Sequence, residues 1–454
     1  MKRIFSVLIV FVMLLSFAAC NGSTVTDDTT VSDTVTETEK VTETGTEEIT
    51  ETETDAQTDE QTDGQTEKQL EKTAPVSNIQ TWTFDDSLVG LVVGVYCETE
   101  PDSEVILRDL TGAEVMRERA IDKYFYGRFV MPADQPTATV YIYAQSEGKE
   151  ISDPSRPVTM RINEAFGANA MIAHDSHVFL NWYRNHYDGY EVIPGESEAE
   201  QKTYMLSVKK YLHAQLDQVR EKTGKNTKII VVVCTNPAAI YHEAQYSVEE
   251  GGWGDHVMPT STTQFAEYMK DDEDIYILDL RELLEANKKD RLLFMQADSH
   301  WTQVAAYYAY YLAAQKIQKD FPDTKIYDLD KDFDTQIVES GGDLLLFMGA
   351  LDQGARAATA SVSWKDASMI APDTAPSAYV MGDSYYGAIN MYFELLFSEV
   401  FLNEPETNPP LYDYTLAKLE ERQPDYLFYV WTERNIDAAL TALMTNINAG
   451  NIVQ

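Results

Sequence analysis

Beyond residue 162 the chain alternates short, unbroken apolar runs with longer stretches whose apolar residues return every three or four positions. The short runs are KIIVVVC (228–234), DIYILDL (274–280), RLLFMQA (291–297), SAYVM (377–381) and DYLFYVW (425–431). The stretches between and after them read as helices over 198–223, 280–289, 301–321 and 385–397, with a last one ending near 446. A run that is apolar at every position predicts a strand covered on both faces. The pattern therefore predicts an α/β domain over 163–454, with a mostly parallel sheet between two helical layers.

Residues 76–162 follow a different rhythm. Short β-branched and aromatic runs (LVGLVVGVYCE, VILRDL, YGRFVM, TATVYIYA) are separated by turn signals at EPDSE, TGAE and PADQ, and no long helical period intervenes. Strands at this spacing predict a small β-sandwich of about 85 residues, immunoglobulin-like in general pattern. It reads as a spacer or as a carbohydrate-binding module, with Trp82, Tyr124 and Tyr126 as candidate stacking surfaces.

The N-terminal residues predict export from the cytoplasm. MKRIFSVLIVFVMLLSFAAC has a basic start, an apolar core and small residues before Cys20, the pattern of an export signal over 1–20. FAAC resembles a lipobox, which makes Cys20 the expected lipidation site and the membrane surface the expected location, with ordinary signal cleavage near Ala19 as the alternative. Residues 21–75 hold 16 Asp or Glu against 3 Lys, a net of −13 out of the chain's −40, with almost no apolar residue. Such a segment cannot offset its ordering entropy and predicts an extended, disordered stalk. The acidic balance argues against nucleic acid as a partner, because its phosphates require Lys and Arg. Cys97 and Cys234 lie in apolar runs and predict buried free thiols rather than a disulfide framework.

In open α/β sheets, ligands bind beyond the C-terminal ends of the strands. The residues just past the predicted strands are Thr235-Asn236-Pro237, Asp298-Ser299-His300, Gly382-Asp383-Ser384 and Thr432-Glu433-Arg434-Asn435. Ser384 falls at a strand-to-helix turn, where a backbone N–H at the helix start could meet an oxyanion. A serine needs a base to become a nucleophile near neutral pH. His300 is the candidate base and Asp298 the candidate orienting acid. Asn236 is a candidate second oxyanion donor. Trp301, Tyr385 and Tyr386 are candidates for a sugar groove or for packing, and Arg434 and Glu433 for substrate contact or a mutual ion pair. A second Asp-Ser-His, at 175–177, has aromatic flanks and no helix directly after it, and reads as fold-supporting or substrate-lining. His174 and His177 around Asp175 lack a third cluster at metal-like spacing. The tyrosine run at 306–315 reads as a buried helix face.

ADSHWT followed by MGDSYY, with PDYLFYVWTERN near the C-terminus, resembles the SGNH-hydrolase-like domain of the alginate O-acetyltransferase family, in which Asp-x-His-Trp precedes the serine. IIVVVCTNPAAIYHE and ESGGDLLLFMG are similar to further segments of that family. The resemblance covers about residues 165–445 and implies a three-layer α/β/α fold. It also implies Ser384 as nucleophile, His300 as base and Asp298 as orienting acid, with acetyl passing through the serine to a polysaccharide hydroxyl. A membrane O-acyltransferase is implied as acetyl donor. The chemistry calls for no metal and no cofactor. A carbohydrate acetyl esterase with the same triad, or a non-catalytic glycan-binding lipoprotein, would use the same residues.

Overall fold

The computed structural model describes residues 70–86, 90–132, 135–162, 170–180, 197–247, 261–351, 354–402 and 416–436. The expected export signal, Cys20, nearly all of the acidic stalk and the helix expected after 436 lie outside the described residues. No helix among those described is long and apolar enough to cross a membrane.

Among the described residues, those from 70 to 162 form β-strands and their connections. Strands β1 (Ser77–Asp86), β2 (Gly90–Glu98), β3 (Glu104–Asp109), β4 (Glu114–Arg119), β5 (Tyr124–Phe129), β6 (Thr137–Gln145) and β7 (Val158–Arg161) form two antiparallel sheets, ordered β1-β2-β5 and β4-β3-β6-β7. Val93, Val95 and Cys97 of β2 and Phe125 of β5 share one core with Val105 and Leu107 of β3 and Val140 and Ile142 of β6, so the two sheets face each other. The three expected stacking residues are not on the surface. Trp82, Tyr124 and Tyr126 are buried at 4%, 1% and 0% exposure, packed with Ala170, Ile172, Leu344 and Leu345 of the following domain. The Tyr124 hydroxyl donates to Glu339 Oε2 at 2.9 Å, and the Tyr126 hydroxyl donates to the Arg356 carbonyl. These rings join two parts of the molecule and are closed to a sugar.

A hairpin follows, β8 (Ala170–Ile172) with β9 (Val178–Leu180), and then helix α1 (Glu198–Thr223). Ser197 caps α1 by accepting from Glu200 N, and Glu198 and Glu200 place negative charge at its positive end. The central sheet consists of β10 (Lys228–Cys234), β11 (Ile275–Asp279), β14 (Ser377–Gly382), β15 (Glu399–Leu402) and β16 (Tyr426–Thr432), in the order β11-β10-β16-β14-β15 with every pairing parallel. Alternate residues of one strand feed different cores. Ile230, Val232 and Cys234 of β10 face α3 (Arg281–Asn287), α4 (Gln303–Asp320) and α5 (Tyr386–Leu396), whereas Ile229, Val231 and Val233 face α1, α2 (Ser261–Met269) and α6 (Leu416–Arg422). That division is the reason the strands read as continuous apolar runs. Tyr307, Tyr308 and Tyr310 of α4 are buried, as the tyrosine run predicts.

One expected strand is absent. Residues 291–297 hold only an isolated bridge, Phe294 to Trp301, and the segment folds back on itself: Met295 N donates to His300 O at 3.0 Å, and Thr302 N donates to Leu293 O at 2.9 Å. Leu293 and Phe294 are buried against the helices, so the apolar run records burial without sheet pairing. The sheet edge next to β14 is taken by β15 instead. An antiparallel ribbon of β12 (Phe333–Ser340) and β13 (Ala357–Trp364), also not foreseen, lies between α4 and β14 in the chain.

Candidate active site

Ser384 reaches its position through a turn that only particular residues permit. A Cβ on Gly382 would stand 3.0 Å from Val430 Cβ and 3.1 Å from Val430 O, so a glycine lets β14 leave the sheet tight against β16. Asp383 then folds back under the turn. Its Oδ2 accepts from the backbone and hydroxyl of Thr432 at the end of β16, and its Oδ1 accepts from Tyr385 N at 3.1 Å. Asp383 is thus occupied in holding the turn, and Ser384 projects from it just before α5.

His300 arrives from the folded-back loop rather than from a strand end. Ala297 carries φ +54°, in the left-handed region that side chains with a Cβ seldom occupy. After it, Asp298 Oδ1 accepts from His300 N at 2.9 Å and lies 2.7 Å from His300 Nδ1. On the other edge of the ring, His300 Nε2 lies 2.7 Å from Ser384 Oγ. Ser384, His300 and Asp298 therefore form one continuous hydrogen-bonded chain, drawn from segments 84 residues apart. The His300 side chain keeps 27% exposure, and Ser384 is itself partly exposed.

The electrostatics are those of a poised imidazole. Burial alone would disfavour the charged ring, but the hydrogen bond and charge of Asp298 outweigh it and raise the His300 pKa above the ordinary 6.5. Burial likewise opposes charge on Asp298, and its bonds to His300 and to backbone N–H groups hold its pKa below the usual carboxylate value.

The other expected site residues divide by what they touch. Trp301 and Tyr385 are buried at 1% and 0% exposure and do not line a groove. Trp301 Nε1 donates to Tyr385 O at 2.8 Å, and the Tyr385 hydroxyl donates to Ser299 O, so the pair bolts the histidine loop to the serine turn. Tyr386 is half-buried and its hydroxyl bonds Asn390. Arg434 lies over the Tyr385 ring at 5.3 Å, with Nη1 3.4 Å from Ser299 O, beside the site. Glu433 turns away from it to Arg281 and accepts from Asn236 N at 3.1 Å. Asn236 is fully buried in the loop after β10, and β16 lies between β10 and the Ser384 strand.

Three further groups escaped the sequence reading. Asp343, on the single turn Asp343–Phe347, accepts from Ser299 N at 2.7 Å and from Ser299 Oγ at 2.6 Å. A Cβ on Gly342 would fall 1.8 Å from Ala297 O, so Gly342, just before Asp343 in the Gly341-Gly342 pair, lets the backbone lie against the loop at Ala297. Gln296 is buried and donates to Tyr124 O at 3.1 Å and to Ser176 O at 3.3 Å, while its Oε1 accepts from Ala358 N at 3.2 Å. The Gly-Gly-Asp triplet was the available signal for the first two. Asp298, His300 and Asp343 are also the one group among the described residues close enough to converge on a cation. Their facing atoms are already joined by the hydrogen bonds above, so a cation would have to displace that network.

Residues 201–394, which include Asp298, His300, Asp343 and Ser384, match the model of the family described as SGNH hydrolase-like domain, acetyltransferase AlgX. Among solved structures, the O-acetyltransferase domain of Pseudomonas putida AlgJ is similar at 16% identity, over 61% of this chain and 99% of that one, with a TM-score of 0.38. A DHHW family protein of Eubacterium siraeum is similar at 11% identity, over 66% and 95%, with a TM-score of 0.37. Pseudomonas aeruginosa AlgX is similar at 14% identity, over 58% and 61%, with a TM-score of 0.38. No curated protein matches the chain.

Proposed function

We propose that this chain is an SGNH hydrolase-like acyltransferase that moves acetyl groups to a cell-surface or secreted polysaccharide through an acetyl-Ser384 intermediate, a reading supported by the family match over residues 201–394. The observation that carries this reading is the unbroken Ser384–His300–Asp298 chain, with both links at 2.7 Å. Ser384 Oγ attacks the acetyl carbonyl of the donor while His300 Nε2 takes its proton. Asp298 holds the ring by Nδ1 and stabilises the imidazolium that forms. The Ser384 N–H, at the approach to α5, receives the oxyanion; Asn236, fully buried with its N–H on Glu433, is not placed to share it. Collapse of the tetrahedral species releases the donor's oxygen, protonated by His300, and leaves the acetyl ester on Ser384. A sugar hydroxyl then attacks that ester, His300 removes its proton, and the acetylated sugar departs with Ser384 restored.

The same triad delivers acetyl to water if the acceptor site admits it, giving an esterase. The expected export signal and Cys20 support a lipid-anchored enzyme on the extracellular face of the cell membrane, where a membrane O-acyltransferase would be the acetyl source. Ser384→Ala is expected to abolish turnover of p-nitrophenyl acetate while the chain stays folded by circular dichroism. Full activity in that variant would sink the triad. Mass analysis of products formed from an acetyl-ester donor plus candidate glycans separates transfer from hydrolysis. Glycan binding without turnover at any pH would favour a non-catalytic binding protein.

A further inference from the structure

Asp298 spends one oxygen on His300, and its other oxygen must be satisfied as well. That partner is the backbone N–H of Asp343, which donates to Asp298 Oδ2 at 3.0 Å. The Asp343 carboxylate in turn takes both donors of Ser299, the residue between Asp298 and His300. Asp343 therefore grips the loop at two successive residues, and Gly342 permits that grip because its backbone lies against Ala297. Asp343 Oδ2 also stands 3.8 Å from His300 Nδ1, and Ser299 Oγ stands 3.5 Å from the same nitrogen. The Asp343 side chain keeps 18% exposure, so its field acts on the ring through little water.

We propose that Asp343 is a positioning residue for the acylation chemistry: it fixes the Asp298-Ser299-His300 loop by three hydrogen bonds and adds a second negative charge beside the imidazolium. The proposal rests on Ser384 and His300 acting as read above. The charged and titratable groups facing His300 are Asp298 from its own loop, Asp343 from the 343–347 turn, and Arg434 from the turn after β16. Tyr385 presents its ring at 5.2 Å. Arg434 opposes protonation of the ring and the two carboxylates favour it. Burial and the neighbouring Asp298 push the Asp343 pKa up, the behaviour of two acids sharing one site.

Asn at position 343 keeps an acceptor for Ser299 N and removes the charge, whereas Ala removes both, so the two substitutions separate geometry from field. The His300 titration in the full-length chain is read by NMR from its ring C2–H, assigned against the His300→Gln spectrum. Removing a negative charge favours the neutral ring, so Asp343→Asn should lower the His300 pKa by about one unit. The acid limb of kcat/KM for p-nitrophenyl acetate should move the same way, with plateau kcat within about tenfold of wild type and Asp343→Ala losing roughly a hundredfold. An unchanged His300 titration in Asp343→Asn, or equal losses in both variants with the profile unmoved, overturns the proposal. The NMR titration needs no turnover. An inactive wild type would defeat the acylation reading while the charge effect is still measured, and Asp343→Asn serves if the alanine variant does not fold.

Discussion

The chain spells Asp-Ser-His twice, and the two copies do opposite things with the same atoms. At 175–177 the tripeptide sits at the tip of the β8–β9 hairpin, with Asp175 and Ser176 at φ +51° and +60°. Asp175 Oδ1 accepts from Arg119 N at 3.1 Å, while Ser176 Oγ accepts from Tyr126 N at 3.1 Å and donates to Arg119 O at 2.7 Å. Every one of those bonds goes to the backbone of the β-sandwich. His177 is left in an apolar slot, its ring 4.4 Å from Tyr241, and burial lowers its pKa to about 4. At 298–300 the carboxylate turns onto its own histidine, and the ring pKa rises. What a carboxylate faces, backbone amides or imidazole, decides whether the motif fastens a fold or prepares a base.

The widest separation between the copies should come from removing their carboxylate charges. Asp298→Asn is expected to lower kcat by about 10⁴-fold, the scale seen when a catalytic histidine loses its orienting acid. Asp175→Asn should leave kcat of the folded protein unchanged and cost about 1–2 kcal/mol of stability in urea titrations. Similar kcat losses in both variants would erase the distinction.

The histidines should part next, by pH. His177 titrates at about 4 when folded and at 6.5 when unfolded, so between those values the unfolded chain alone binds the proton. Its contribution is complete above pH 6.5 and is lost as the pH falls towards 4, up to about 3 kcal/mol in all. His177→Phe should therefore flatten the acid side of the stability curve relative to wild type, and parallel curves would contradict this. His300 has the opposite sign. Its raised pKa stabilises the fold below pH 6.5, and that contribution is lost as pH rises through the folded value, while the activity limb, which needs the neutral ring, lies above 6.5.

The smallest effect should fall on the link between the copies. Gln296, two residues before Asp298, donates to the carbonyl of Ser176 in the first copy and to that of Tyr124 in the sandwich. Gln296→Leu removes the donor to Ser176 O and the acceptor of Ala358 N, leaves Tyr124 O with Ile121 N alone, and is expected to reduce kcat roughly tenfold with KM little changed. An unaltered kcat would show that the sandwich does not help to hold the histidine loop.

These contrasts also mark how far the sequence could be read. The parallel strands were legible because burial on both faces leaves an unbroken apolar signature, as in KIIVVVC and DYLFYVW. Ser384 was legible because a Gly-Asp-Ser between a strand and a helix has a local geometry. RLLFMQA has the same signature and became a loop, since apolarity reports burial and is silent about the hydrogen-bond partner. Trp82, Tyr124 and Tyr126 were offered as stacking surfaces and are interior, and Trp301 and Tyr385, left open between a sugar groove and packing, are packed, because an aromatic side chain carries no mark of which side it faces. Asp343 acts on a residue 44 positions away, a contact with no local periodicity to announce it.

The central claim is that acetyl passes through Ser384. Wild-type protein mixed with an acetyl-ester donor, quenched in acid during turnover, digested and weighed by mass spectrometry, should show one acetyl group on the peptide containing Ser384. The mark should vanish in Ser384→Ala and His300→Gln. Turnover with that peptide unmodified, or with the acetyl group on another residue, would contradict the account.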